Sequence, residues 1–315
     1  MKRFVGVLVA VTLLASVCLL SVVFSQGQSE LANQQKVKHR LRNDPDEDKN
    51  KDEHPAEAGK AAKARPGSNG ITYHGGPVML GTTHAYYIWY GNWGSNTANT
   101  ILTNLAQNIG GSPYFNINTT YYNGSNVHVS NSVSYGGSTN TGTSVYGTSL
   151  TDAEVQSIVR DALVSGHLPY DTSGVYFVLT SAEVTASSGF CTQYCGWHTY
   201  GTINGFNIKY SFVGNPDRCP SACEAQTTGP NGNAGADGMA SIIAHELEEA
   251  VSDPNLNAWY DSHGAENADK CAWTFGTTFA TGNGALANMT MGGRNYLIQR
   301  NWVNASGGFC AKNYP

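Results

Sequence analysis

The chain has 315 residues and a formal net charge of −5 at pH 7, and only 13% of its residues are charged. Residues 68–315 carry seven Lys and Arg against fifteen Asp and Glu, which gives this part a net charge of −8. Such a surface repels polyanions, so the composition excludes a protein that binds nucleic acid or an anionic membrane surface through charge.

The first 25 residues have the pattern of a secretory signal peptide. A short basic start precedes an uncharged run at residues 4–24, and small residues favour cleavage after Ser25. The run is also long enough for an uncleaved signal anchor, the one case in which we expect attachment to a membrane. Both alternatives export the rest of the chain, so we predict a secreted, extracellular protein.

Residues 26–67 differ in kind from the rest of the chain. They are rich in both signs of charge and offer almost nothing apolar to bury, so they cannot offset the entropy lost on ordering. We predict a disordered charged segment that is either a spacer or a propeptide. Residues 68–315 are long enough for one extracellular domain with its own core.

Predicted strands and helices alternate along this domain. Strands are indicated by β-branched and aromatic runs, and helices by apolar residues at helical spacing. The helix that begins at Thr151 opens with a capping box completed by Glu154. The predicted strands are 82–90, 127–135, 175–180 and 206–213, the predicted helices are 96–109, 151–164 and 236–254, and residues 136–147 are a predicted loop. Helices between strands predict a single α/β domain with a mixed sheet and packed helices.

Six cysteines remain after the signal peptide. In an exported chain an even number indicates disulfides, here three, with the pairing left open. A zinc ribbon is the alternative, because four of the six form two close pairs. The six are Cys191, Cys195, Cys219, Cys223, Cys271 and Cys310.

Four asparagines lie in N-x-Ser/Thr sequons. In a eukaryotic host such residues are acceptors of N-linked glycans, so we predict a glycoprotein. The acceptors are Asn118, Asn123, Asn288 and Asn304.

The predicted helix 236–254 has the residues that could carry chemistry. With Asp237 as N-cap and about 100° per residue, Glu248 faces away from the apolar side. Glu246 falls inside that side, and His245 and Glu249 lie one turn apart on its edge. This spacing is typical of H-E-x-x-H zinc hydrolases, with Glu in place of the second His.

The spacing assigns His245 and Glu249 as zinc ligands and Glu246 as the general base that holds the attacking water. Zinc needs a third protein ligand, for which Glu266 or Asp253 is the first choice. The rivals are Asp261, His263 and Asp269. We therefore predict a zinc-dependent, peptidase-like hydrolase, for which the fold could be zincin-like.

Several short motifs together resemble the plant phosphate-induced protein 1, or EXORDIUM, family. They are YHGGP and IWYG near residue 80, GFCTQYCGWH at 189–198, VGNPDRCPSAC at 213–223, PNGNAGADGM at 230–239 and a D-P-N…W-Y segment at 253–260. The last cysteine, Cys310, also falls where the family has one. The resemblance implies an apoplastic cell-wall protein associated with growth, without a settled activity.

Two other functions compete with the hydrolase. One is a non-catalytic matrix protein that binds glycan through exposed Tyr and Trp side chains. The other is a calcium site built from acids alone, which would give His245 no role. The expected partner is a cell-wall or matrix polymer, or an extracellular protein substrate. The remaining histidines, among them His74, His84 and His198, are predicted to have structural roles.

Overall fold

The computed structural model describes residues 70–315 and the backbone of residues 37–40. The predicted signal peptide lies outside the described residues. So does the predicted spacer, except for residues 37–40, which form a strand. Those four residues pair with the backbone of the domain, and the prediction of a disordered spacer stays a prediction.

A mixed sheet lies at the centre of the fold. Its strands are β1 (Val37–Arg40), β3 (Thr83–Tyr90), β4 (Val133–Thr141), β6 (Gly174–Thr180), β8 (Tyr194–Ile203) and β9 (Phe206–Val213). Their order is β1-β8-β9-β6-β3-β4. The four strands from β9 to β4 are parallel, while β8 runs antiparallel to β9, and β1 runs antiparallel to β8. The prediction of an α/β domain with a mixed sheet is confirmed.

Strands β3, β6 and β9 lie where the sequence predicts them, and β4 does not. The prediction ended a strand at residue 135 and placed a loop at 136–147, but β4 runs from Val133 to Thr141 beside β3. Its side chains are alternately half-buried and exposed. An edge strand of this kind is held by its backbone, so Ser, Thr and Gly can form it without an apolar pattern.

Strand β8 was not predicted from the sequence at all. It forms a hairpin with β9 through Asn204 and Gly205, which both have positive φ (48° and 83°). An Asn-Gly pair between two strands is a strong hairpin signal, since both residues adopt that backbone conformation easily. This pair was the feature that could have revealed β8.

The described residues form four α-helices beside the sheet: α1 (Ala98–Asn108), α2 (Asp152–Val164), α3 (Pro220–Cys223) and α4 (Ala234–Ser252). The capping box of α2 is confirmed, with Thr151 as N-cap and Glu154 returning to its backbone. Helix α4 begins instead at Asn233, whose side chain accepts from Ala236 N at 3.0 Å, so Asp237 is not its N-cap. None of the described helices is both long enough and apolar enough to cross a membrane.

The helices cover both faces of the sheet. Helices α1 and α4 pack against each other, and α4 also packs on β8 and β9. Because the crossovers β3-α1-β4 and β4-α2-β6 run in opposite directions across the sheet, right-handed connections place α2 on the other face. The side of α4 away from the sheet meets the 3-10 helix Phe115–Thr120 and the strand Arg294–Tyr296. Helix α4 is therefore enclosed.

In the described part of the chain, ten further short strands form five two-stranded ribbons outside this sheet. They are β2 (Thr72–Tyr73) with β10 (Trp259–Tyr260), β5 (Ser149–Leu150) with β7 (Thr185–Ala186), β11 (Phe279–Ala280) with β12 (Leu286–Ala287), β13 (Met289–Met291) with β14 (Arg294–Tyr296), and β15 (Asn301–Val303) with β16 (Phe309–Ala311). Two further 3-10 helices are Pro216–Arg218 and Asp269–Cys271.

All six cysteines of the domain form disulfides, as predicted. The bonds are Cys191–Cys219, Cys195–Cys223 and Cys271–Cys310. The first two join the start of β8 to the segment before α4, and the third joins the loop after α4 to β16. Closing loops of this size stabilises a fold by about 3–4 kcal/mol per bond in the chain-entropy model. The zinc-ribbon alternative is excluded because no thiolate of these six is free.

Candidate metal centre

Three buried polar side chains of α4 gather near β8 and the loop after the helix. His245, Glu246 and Glu249 are each 0% exposed, and so is His198 of β8. The loop adds Glu266, which is 1% exposed. We call these residues, together with Asp269, the His/carboxylate cluster.

One part of the cluster surrounds His245. Its Nε2 lies 2.9 Å from Glu249 Oε1 and 3.5 Å from Asp269 Oδ1. One donor atom from each of the three residues falls within 4.8 Å of the other two. Tetrahedral ligands about 2.1 Å from one zinc ion are about 3.4 Å from each other, so these separations suit a shared metal.

The other part surrounds His198. Its Nε2 lies 3.1 Å from Glu266 Oε2 and 3.6 Å from Glu249 Oε2. His198, Glu246 and Glu249 also bring one donor atom each within 4.8 Å of one another. Glu249 thus takes part in both groups and connects them.

Three buried atoms of the cluster have no hydrogen-bond partner among the described residues: Glu249 Oε2, Glu266 Oε1 and His198 Nδ1. A buried polar atom without a partner costs about 1–3 kcal/mol, and more if it is charged. Native proteins retain few such atoms without a functional reason or an ion. The two carboxylate oxygens therefore fit a cation.

Burial makes full ionisation of the cluster unfavourable. It raises the pKa of Glu249 to about 7. Burial, together with the charge of Glu249, raises the pKa of Glu266 well above its usual range. Without a cation, the low dielectric and mutual repulsion favour protonated carboxyls. A bound cation would reverse that preference, because metal ligands must be deprotonated.

The two histidines respond in opposite directions. Burial and the neighbouring His245 lower the pKa of His198 to about 3, which keeps its ring neutral and able to ligate. Burial also acts to lower the pKa of His245, but the carboxylates of Glu249 and Asp269 outweigh it and raise that pKa well above its usual value. The side-chain amide of Gln299 lies 2.5 Å from His245 Nδ1 and directs Nε2 at Glu249.

Helix α4 approaches β8 closely at Gly196. A Cβ on this residue would lie 2.6 Å from Ile242 Cγ2 and 3.1 Å from Glu246 Oε1. Only glycine allows the helix to bring Glu246 so near the strand that carries His198. The close approach is therefore part of the construction of the cluster.

Comparison with known proteins establishes the family of the chain. Residues 71–303 match the family described as the phosphate-induced protein 1 conserved region. The chain belongs to this family. It is 31% identical over 283 residues to protein EXORDIUM-like 3 of Arabidopsis thaliana, covering 77% of this chain and 84% of that protein. The resemblance predicted from the motifs is confirmed.

Two further Arabidopsis thaliana relatives agree with this assignment. EXORDIUM-like 5 is 31% identical over 272 residues, covering 74% of this chain and 75% of that protein. EXORDIUM is 29% identical over 138 residues, covering 39% of this chain and 41% of that protein. No solved structure matches the chain. EXORDIUM-like membership and three disulfides are consistent with an extracellular protein.

Several predicted site residues lie elsewhere in this EXORDIUM-like fold. Asp253 ends α4, its Oδ1 accepts from Asn257 N and Ala258 N at 2.6 and 2.7 Å, and it belongs to neither group of converging donor atoms. Asp261 pairs with Lys270 Nζ at 3.1 Å. Asp253 as a ligand stays a prediction, and the residue whose donor atom converges with those of His245 and Glu249 is Asp269.

Glu248 was expected to face away from the core and is 0% exposed. The projection of the helix at about 100° per residue gave the wrong result for Glu248, because α4 is covered on both sides. Tyr114 donates to Glu248 Oε2 at 3.0 Å, and burial raises the pKa of this carboxyl well above its usual range. Glu248 is thus a separate buried acid with its own donors.

Two predicted glycan acceptors are buried. Asn118 is 0% exposed, and its Nδ2 donates to Phe115 O at 3.2 Å. Asn288 is 7% exposed and donates to Ile298 O at 2.6 Å. A glycan on either side chain would have to replace these bonds inside the fold. We therefore no longer expect glycans on Asn118 and Asn288. Asn123 and Asn304 are half-buried and stay predictions.

His198 is the site residue that the sequence analysis missed. It follows the Cys191/Cys195 pair and was predicted to have a structural role. The signal that could have found it is again the Asn-Gly hairpin. That turn makes residues 194–203 a strand beside β9, against which α4 packs.

Proposed function

We propose that this EXORDIUM-like chain is an extracellular cell-wall protein associated with growth, and that it uses a divalent metal, zinc, for peptidase-like hydrolysis. The observation that carries the proposal is the convergence of His245, Glu249 and Asp269 in the core, beside unpartnered carboxylate oxygens. Two imidazoles in the cluster favour zinc over calcium, which takes oxygen ligands.

Glu246 is suited to act as the base. It lies on the turn that carries the ligands His245 and Glu249, and it is buried where the surrounding dielectric is low. In this role its carboxylate takes the proton of the attacking water and later returns it to the leaving group. Bound zinc would polarise the substrate carbonyl and so favour that attack.

The outer edge of β8 supports a polypeptide substrate. Strand β1 occupies this edge in antiparallel pairing, with Val37 opposite His198. An exposed strand edge accepts an extended peptide through the same backbone bonds. Residues 37–40 therefore occupy the edge of β8 with which an extended substrate segment would pair. We expect this arrangement if residues 26–67 are a propeptide.

A second candidate function is a non-catalytic wall or matrix protein, in which the metal only stabilises the core. The burial of all members of the cluster except Asp269 favours it, because structural zinc sites are closed and catalytic sites keep an open position. Glycan binding through aromatic side chains has less support. Every Tyr and Trp in the described residues is buried or half-buried.

Metal content and turnover separate these functions. In the secreted protein, His245→Ala should remove stoichiometric zinc, whereas the exposed His167→Ala should retain it. Glu246→Gln should keep the metal but lower hydrolysis of unstructured peptides by about 10²–10⁴-fold. Glu183→Gln, on the surface, is its matched control.

The three outcomes of this experiment are distinct. Absence of metal from the wild-type protein would refute the metal centre. Metal without peptide hydrolysis under any condition would leave the structural role in its place. Equal turnover in wild-type protein and Glu246→Gln would remove Glu246 from the mechanism.

A further inference from the structure

The two carboxylate oxygens of Glu249 point at different histidines. Oε1 lies 2.9 Å from His245 Nε2, while Oε2 lies 3.6 Å from His198 Nε2. A single metal ion held by His245 uses only the first of these oxygens. The second then stays buried without a hydrogen-bond partner among the described residues.

A second donor set is present on that side of Glu249. Glu266 Oε2 lies 3.1 Å from His198 Nε2, and Glu266 Oε1 has no hydrogen-bond partner in the described part of the chain. Both residues are at most 1% exposed. His198 Nε2 thus lies beside one oxygen of Glu266 and beside Oε2 of Glu249, which are a nitrogen and two oxygen donors distinct from Glu249 Oε1, His245 and Asp269.

Charge balance also favours a second cation. The cluster contains four carboxyl groups, those of Glu246, Glu249, Glu266 and Asp269. When all are ionised they bring four negative charges into the core, of which one divalent ion neutralises two. Two divalent ions neutralise all four, and buried charge without compensation is strongly unfavourable.

We propose that the cluster binds two divalent transition-metal ions bridged by the carboxylate of Glu249. One ion has His245 and Asp269 as its other protein ligands. The second has His198 and Glu266. Carboxylate-bridged ions in two-metal sites lie about 3.5–4 Å apart, a distance that one side chain can span.

This inference rests on the metal site of the proposed function and extends it. In a two-metal site both ions can stabilise the oxygens that develop charge during hydrolysis. Glu246 is within 4.8 Å of donor atoms of both His198 and Glu249, so it keeps its place beside the bridge as the base. The substrate class stays a peptide carbonyl.

The test counts metal in the full-length secreted protein. After removal of metal by a chelator, dialysis against Mn²⁺ should restore about two ions per chain, and dialysis against Zn²⁺ should do the same. The two Mn²⁺ ions should show spin coupling in electron paramagnetic resonance, because they share a carboxylate. This measurement needs no variant, so it does not depend on how a substitution affects folding.

Substitutions then assign each ion. Asp269→Asn and Glu266→Gln should each reduce the content from two ions to one and abolish the spin coupling, while Glu183→Gln retains both. One ion in the wild-type protein would overturn the two-metal inference and leave the proposed function intact. No ion would refute the proposed function itself. Two uncoupled ions would overturn the Glu249 bridge.

Discussion

Two groups of histidine and carboxylate in this protein use the same residue types in different ways. His84 and Asp171 lie near the start of β3, 36% and 19% exposed, with Nδ1 and Oδ2 2.5 Å apart. Tyr86 donates to the same Asp171 oxygen at 3.0 Å, and Ser173 N donates to the other at 2.8 Å. Every oxygen of that carboxylate has a donor.

The His/carboxylate cluster on α4 is the opposite case. It has more carboxyl groups than histidines, is shielded from water, and retains the oxygens Glu249 Oε2 and Glu266 Oε1 without partners among the described residues. A satisfied pair such as His84 and Asp171 has no need of a ligand. The difference between the two groups is that only the cluster keeps buried carboxylate oxygens without partners among the described residues, and this is the feature on which the proposed metal site rests.

The largest expected effect comes from replacing a carboxylate by its amide in each group, Glu249 in the cluster and Asp171 in the satisfied pair. Glu249→Gln should abolish metal binding, to below about a tenth of an ion per chain, because Glu249 belongs to both ligand groups. Asp171→Asn should leave the metal content unchanged and cost about 1 kcal/mol of stability through weaker hydrogen bonds. Metal analysis with urea unfolding measures both. Metal loss in Asp171→Asn, or retention in Glu249→Gln, would break the comparison.

A pair of glycines gives a smaller and sharper test. A Cβ at Gly196 would crowd Ile242 and Glu246 at the cluster, and a Cβ at Gly174 would lie 2.8 Å from the ring of Tyr86 near Asp171. Each Gly→Ala change should destabilise the fold by about 1–3 kcal/mol through overpacking. Only Gly196→Ala should also weaken metal binding.

The control for these glycines is Gly142→Ala, because a Cβ there meets nothing within 4 Å. Its stability should stay within about 0.5 kcal/mol of wild type. Thermal unfolding and metal titration of the three variants provide the measurements. Equal metal affinity in all of them would show that the helix does not need its close approach to β8.

The smallest expected effect is a dependence on acid pH at the satisfied pair. Burial acts to raise the pKa of Asp171, but hydrogen bonds from His84, Ser173 and Tyr86 outweigh it and lower the pKa below 3.8. The folded state thus binds the proton less well than the unfolded state. The carboxylate therefore contributes stability at neutral pH, which is lost as the pH falls below about 3.8.

The difference in unfolding free energy between wild type and Asp171→Asn measures this contribution. It should be constant above about pH 5 and shrink as the pH falls below about 3.8. A difference that grows toward acid pH would show that Asp171 is not stabilised as a carboxylate.

Local signals in the sequence predicted the elements that depend on local interactions. The capping box at Thr151 predicted the start of α2, and the β-branched and aromatic residues of 206–213 predicted β9. The edge strand β4 was missed in part because its stability comes from pairing with β3. The helix α4 was predicted, but its enclosure on both sides, which buries Glu248, depends on segments distant in sequence.

In the candidate site, too, the sequence predicted only the residues that are grouped by local spacing. His245, Glu246 and Glu249 share one helix, so spacing alone was enough to group them. His198 joins them only through the β8–β9 hairpin and the packing of α4 on it. No periodicity in a single segment contains that contact, and the same holds for the choice of Asp269 over Asp253.

The paired disulfides also set an order of events for the biogenesis of the protein. Cys191–Cys219 and Cys195–Cys223 tie the start of the His198 strand to the segment that leads into α4. Until these bonds form, nothing covalent keeps the strand and the helix in register. We therefore expect oxidation to precede metal uptake, so that a chain kept reduced during synthesis would meet the cytosolic metal pool without its ligands assembled.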